Sequence, residues 1–208
     1  MKFKYLGSTV TSDNDIAEEV KIRIAAGSRC AWAMKSILKS RNISRKTKLQ
    51  TYITIIRPVV TYGAETWALT KQLEQKLLVF ENSILRQVYG PVFDETTGEW
   101  RRRHNQELGD LSNLPFITDL IRSMRLRWAR HIARMGEDRG VKLVAQGRPA
   151  GTRPLGRPRK RWSDNLRQDL LALGVEDPDS WWMLAEDRNN WRRLVKAARD
   201  HLGPVPAE

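Results

Sequence analysis

The sequence predicts a mainly α protein: a helical bundle entered through a short N-terminal β-hairpin, followed by a basic linker and a small C-terminal helical subdomain. Three observations carry this. Apolar residues recur at three- and four-residue spacing through several long segments, the pattern of helices with one buried face. The segment from Phe3 to Val10 is short, aromatic and β-branched, which suits a strand or hairpin arm. From Lys142 to Ser163 there is no acidic residue, there are seven basic ones, and scattered Gly and Pro break any regular element.

The elements follow in order. Asp13, Asn14 and Asp15 form a capping cluster, and Glu18 and Glu19 sit where carboxylates suit a helix dipole. Ile16, Val20, Ile24, Gly27, Ala31, Met34 and Leu38 then define a long helix to about Ser40. Ser44 caps a second helix carrying Leu49, Tyr52, Ile53 and Ile56, which stops near Pro58. Tyr62 to Trp67 is a compact turn. Thr70 opens a third helix with Leu73, Leu77, Phe80, Ile84 and Val88 on one face, ended by Gly90-Pro91. Residues 91–115 are the least regular. A fourth helix spans Ile117 to Met135, striped by Ile121, Met124, Trp128, Ile132 and Met135. Beyond the linker, Asp164 to Leu173 is a short helix. Asp179 to about Arg199 is a final one, with Ala185, Arg188, Trp191, Val195 and Ala198 on one side. The organisation expected is thus a hairpin at 1–12, a bundle at 13–90, an arginine-rich helical region at 91–141, the linker at 142–163 and terminal helices at 164–202.

Charge narrows the function. Among 208 residues, 37 Lys and Arg outweigh 24 Asp and Glu, for a formal net charge of +13. Such an excess attracts polyphosphates and releases their counterions on contact. DNA or RNA, held through phosphates, is the expected partner. A hydrophobic fraction of 40% with eight Trp argues against disorder. Cys30 is the only cysteine, and it lies in an apolar helical stripe, so it reads as structural. His104, His131 and His201 lack metal-ligand spacing, and neither a metal nor a cofactor is expected. Met1-Lys2-Phe3-Lys4 offers no apolar signal core, and the most apolar stretch is broken by Arg57, Pro58 and Gly63. The expected location is the nucleus or cytoplasm, without secretion or membrane association.

Three features could grip nucleic acid. Gly156-Arg157-Pro158-Arg159-Lys160-Arg161-Trp162 has prolines that extend the backbone and basic side chains that can reach phosphates. It resembles the core of an AT-hook, although Leu155 stands where a hook carries Arg, and a nuclear-import signal or solvated linker reads the same way. Arg127, Arg130 and Arg134 cluster on one flank of the fourth helix. Trp100 beside Arg101, Arg102 and Arg103 can stack an unpaired base while its neighbours hold phosphates, or can be a core Trp with a charged rim.

An ordered series of motifs resembles a known family. Phe3-Lys4-Tyr5-Leu6-Gly7 is followed by Tyr62-Gly63-Ala64-Glu65-Thr66-Trp67, Arg125-Leu126-Arg127-Trp128, His131-Ile132-Ala133-Arg134-Met135, Gly156 to Asp164, Ala185-Glu186-Asp187-Arg188 and Trp191-Arg192. The series is similar to the C-terminal part of reverse transcriptases of non-LTR (LINE-type) retrotransposons, over nearly the whole chain. The resemblance implies that Phe3 to Gly7 are a primer-grip remnant closing a palm, and that the helices are thumb-like and hold template, primer or target DNA. The family's polymerase uses magnesium ions held by a palm aspartate box. No adjacent Asp-Asp pair occurs here, so this chain is expected to be a truncated fragment, not an enzyme by itself. A host-retained helical interaction module, or the thumb end of an active polymerase, are the alternatives. A thumb without its palm would expose apolar surface, with Tyr62 and Trp67 as candidates, and self-association is expected.

Overall fold

A computed structural model describes residues 2–13, 15–147 and 160–200. The chain is mainly helical with a two-stranded hairpin at its start, and it divides into two compact units. One comprises residues 1–63 and 71–118, the other 64–70 and 119–208.

In the first unit β1 (Lys2–Tyr5) pairs antiparallel with β2 (Ser8–Thr11). Leu6 and Gly7 make the turn, both at positive φ (46° and 85°), as a two-residue loop with a right-handed twist requires. Gly accepts that conformation freely, whereas Leu does not. Leu6 is held there from outside: Tyr62 Oη donates to its carbonyl at 2.9 Å, and Arg23 Nη2 donates to the Gly7 carbonyl at 2.6 Å. Arg23 also lies over the Tyr62 ring and is paired with Glu19, whose other oxygen accepts from the Thr9 backbone N–H.

Helix α1 (Ile16–Ala33) is capped by Asp15, which accepts from the Ala17 N–H at 2.9 Å. The helix does not run unbroken to Ser40. Met34 leaves helical geometry (ψ 9°), and α2 (Lys35–Lys39) follows with Leu38 buried. Gly27 is needed inside α1: a Cβ there would overlap Val60 and come within 3.0 Å of Phe80. Ser44 caps α3 (Arg45–Thr51), accepting from the Thr47 N–H. The helical run ends at Val60, two residues past Pro58. A π-helical turn at Tyr52–Ile56 carries the chain into α4 (Arg57–Val60), with Pro58 in its first turn, where a missing N–H costs no helical bond.

Helix α5 (Lys71–Tyr89) buries Leu73, Leu77, Phe80, Ile84 and Val88 as its periodicity requires. It also buries Glu81, which accepts from Tyr52 Oη at 2.7 Å and from the Ile117 N–H at 2.8 Å and pairs with Arg57 at 3.4 Å. Burial first, then the Glu81 charge, pushes the Tyr52 phenol well above its ordinary pKa, so it remains a donor. Residues 91–115, the least regular by sequence, carry two strands and a helix. β3 (Val92–Asp94) pairs antiparallel with β4 (Glu99–Arg101), and α6 (Asn105–Ser112) follows.

The second unit takes in α7 from Asp119 onward; the whole helix spans Ile117–Ala133. α8 (Gly140–Gln146) comes next, and it occupies the beginning of what the sequence reads as linker. Lys142, counted among the linker cations, is buried there and donates to the Ala133 and Met135 carbonyls that end α7. After it come α9 (Trp162–Ala172), a 3₁₀ turn at Pro178–Ser180, α10 (Trp181–Leu184) and α11 (Arg188–Arg199). The last helix is therefore two pieces. Asp187 accepts from the Asn189 and Asn190 N–H groups and starts α11 afresh.

Leu126, Ala129, Leu166, Leu170, Trp181, Trp191 and Leu194 form the core of this unit. Trp191 Nε1 donates to the Leu126 carbonyl at 2.9 Å, and Trp182 stacks on Trp181 at its edge. The short segment 64–70 belongs here through its backbone: Trp162 Nε1 donates to the Glu65 carbonyl and Asn165 Nδ2 to that of Leu69. Trp67 is accordingly buried, not on an exposed face, whereas Tyr62 is half exposed and engaged by the hairpin. No described helix is long and apolar enough to cross a membrane.

Candidate nucleic-acid interface

Among the described residues each unit carries one concentration of basic side chains with unusual surroundings. In the second unit it lies on α7 and α11. Arg130 lies in the last turn of α7 and Arg134 just past its end, its N–H donating to the Arg130 carbonyl, and Arg188 and Arg192 are one turn apart on α11 and share a face. Arg130 is half buried, yet its Nε and Nη2 are sealed from water without a hydrogen-bond acceptor. Its pKa is lowered, by burial first and then by the positive charges of Arg134, Arg188 and Arg192. None of these four is ion-paired among the described residues. A guanidinium buried among like charges with donors unfilled is an arrangement that an anion would relieve.

The expected flank is thus partly redrawn. Arg130 and Arg134 come together with two arginines from a distant helix, while Arg127 is exposed and is not among the charges that depress Arg130. Helical spacing in the sequence groups Arg188 with Ala185 and Trp191. Arg188 is exposed instead, because α11 begins with it and Ala185 belongs to the preceding turn. The signal that could have found the cluster is the repeated four-residue arginine spacing, 130 and 134 on one helix, 188 and 192 on the other.

In the first unit the basic site surrounds Trp100. The indole is 69% exposed, so it is not the core residue that tryptophan statistics favour. It leans edge-on to Phe93 across the β3–β4 pair, with ring centroids 5.5 Å apart. A cleft of about 400 Å³ beside it is lined by Trp100, Arg86, Arg101, Arg102 and Arg103, with Ser83 and Gln87 among the rest.

The neighbouring arginines divide by role. Arg101 is committed internally, to Asp94 at 3.2 Å and to Glu107 at 2.6 Å. Arg102 is exposed. Arg103 has a buried Nε with no acceptor, and its carbonyl accepts twice from Arg86. Burial, then the charge of Arg102, lowers the Arg86 pKa.

The Arg101–Glu107 clasp fixes the hairpin to α6. The Glu107 carboxyl is lowered to about 2, chiefly by the Arg101 hydrogen bond, with the His104 N–H adding to it. A depressed carboxylate contributes its stability above the unfolded pKa near 4.5 and loses it as pH falls through about 2. The Trp100 indole N–H resonance should therefore hold its position as pH falls past 4.5 and shift only toward 2. In Glu107→Gln it should already be displaced at neutral pH.

Arg157 and Arg159 lie outside the described residues. Lys160 is half buried, and Arg161 is exposed, its backbone N–H donating to Asp164 at the start of α9. Phe3, Lys4, Tyr5, Leu6 and Gly7 are all exposed on the first hairpin, with Phe3 and Tyr5 stacked. Among the described residues no group of three or more His, Cys, Asp or Glu could hold a metal ion.

Among the described residues the fold and sites define a basic helical protein with two arginine-rich surfaces. Over 201 residues the chain is 26% identical to an uncharacterized transposon-derived protein of Caenorhabditis elegans, covering 94% of this chain and 70% of that protein. The similarity ties the chain to a transposon-derived sequence. No family model matches it, and no solved structure does.

Proposed function

We propose that the chain holds nucleic acid and descends from the C-terminal part of a non-LTR retrotransposon reverse transcriptase, a role of gripping template, primer or target and not of copying it. The observation that carries the reading is Arg130: two buried donors without acceptors, crowded by Arg134, Arg188 and Arg192. A phosphate seated against the exposed Arg134, Arg188 and Arg192 would neutralise the cluster and offset the charge that crowds Arg130. The transposon-derived relative supports the descent, and the net charge of +13 supports the ligand class. No metal or cofactor enters this role.

The test is duplex DNA and RNA–DNA hybrid affinity measured by anisotropy across a salt series. If the four arginines each meet a phosphate, the log–log slope is about −3 to −4 on B-DNA. Arg188→Gln with Arg192→Gln, both on the exposed face of α11, should flatten that slope by roughly 2. Salt-independent binding, or a slope unchanged in the double variant, overturns the reading.

A further inference from the structure

We infer that the cleft beside Trp100 is a seat for an unpaired nucleotide, with the base stacked on the indole and its phosphates against Arg102 and Arg103. This rests on the nucleic-acid reading above but on a different surface with a different ligand: a single strand, not a duplex.

Four observations converge. A tryptophan that is 69% exposed is an unusual use of the most costly apolar side chain to hydrate, and here it forms one wall of a recess instead of standing alone. The indole is held in place. Phe93 fixes its tilt, and Arg101, bound to both Asp94 and Glu107, fastens the strand that carries it. The recess, about 400 Å³, falls within the range of small-ligand sites, roughly 300–1,000 Å³. Its lining has no acidic side chain: Arg86, Arg102 and Arg103 supply charge beside Arg101, which is paired to Asp94 and Glu107, and Ser83 and Gln87 supply neutral polar groups.

The arginines are also placed for an anion. Arg86 spends its guanidinium on the Arg103 carbonyl and on Asn105, which anchors the backbone of the 103 region. That leaves Arg102 exposed and the Nε of Arg103 buried without an acceptor. An aromatic plate with fixed tilt beside guanidiniums that lack carboxylate partners is how proteins bind single strands without reading sequence, because every base has a π-face. A duplex buries those faces in its own stack, so it cannot use the plate.

The experiment uses the whole chain with labelled single-stranded DNA and RNA of one sequence, the matching duplex, and single strands in which bases are replaced by abasic sites. Stacking of one base is worth about 1–3 kcal/mol, so Trp100→Ala should weaken single-strand binding by roughly 5- to 150-fold. Duplex binding should be unchanged, and Trp100→Phe should restore most of the single-strand affinity. The unaltered protein should lose comparable affinity for the abasic strand, and Trp100→Ala should not distinguish the two strands.

The abasic comparison on the unaltered protein does not depend on how the variant folds. Equal affinity for intact and abasic strands, or equal losses on single strand and duplex in Trp100→Ala, overturns the inference. Failure of the phosphate cluster is read separately, in the duplex salt slope of Arg188→Gln with Arg192→Gln. Preference for RNA or for DNA identifies the source of the strand.

Discussion

Glu81→Ala should destabilise the first unit by about 3–5 kcal/mol, the cost of leaving a buried partner charge uncompensated. Glu81 is only 2% exposed. It receives the Tyr52 phenol and the Ile117 N–H and faces the Arg57 guanidinium at 3.4 Å. Arg57 is buried as well, over the Tyr52 ring and donating to the Pro115 carbonyl. Removing Glu81 therefore strands one cation, one phenol and one backbone donor at once. Urea unfolding followed by far-UV circular dichroism should show the loss as a lower midpoint. Replacing both partners, Glu81→Leu with Arg57→Met, should recover much of it, because neither charge then remains buried. A single variant as stable as the parent would mean that the network contributes nothing.

Asp169→Ala should have a comparable effect in the second unit, about 3–5 kcal/mol. Asp169 on α9 binds Arg125, itself 2% exposed, and Arg122, whose Nε lies 3.1 Å from it; both arginines project from α7. Arg122 retains Asp119 at 3.2 Å when Asp169 is removed, but Arg125 has no such second carboxylate among the bonds described. The destabilisation is thus assigned to Arg125. Arg125→Met in the Asp169→Ala background should restore stability, whereas Arg122→Met should not. Thermal unfolding of the four proteins measures this directly.

The parts of the fold that were legible in the sequence are those fixed by local chemistry. The face of α5 follows from its apolar spacing, Ser44 and Asp15 cap the helices they precede, and Gly90-Pro91 ends α5. What was not legible depends on partners far along the chain. Pro58 looks like a stop, yet the π turn before it positions the proline where its missing N–H is harmless.

The β3–β4 hairpin has three-residue strands, too short to show a period. It is held by Arg101, which reads as a phosphate ligand until Asp94 and Glu107 are brought to it. Segment 64–70 reads as an extension of the turn at Tyr62, and only Trp162 and Asn165 claim its carbonyls for the second unit. The same holds for the candidate sites. Arg130 and Arg134 stand out locally, but their isolation from acids and the arrival of Arg188 and Arg192 are tertiary facts.

The first hairpin stands apart from the rest in what fastens it. Phe3, Tyr5, Leu6 and Val10 are all exposed, so little apolar area is lost from water when β1 and β2 settle on α1. The fastening is polar: Arg23 on the Gly7 carbonyl, Tyr62 on that of Leu6, Glu19 on the Thr9 N–H. Water can replace each of these bonds at small net cost. Release would also relax the left-handed Leu6. The hairpin is thus a clip that can open while the helices behind it stay packed, so its amides would lose protection from exchange long before those of α5.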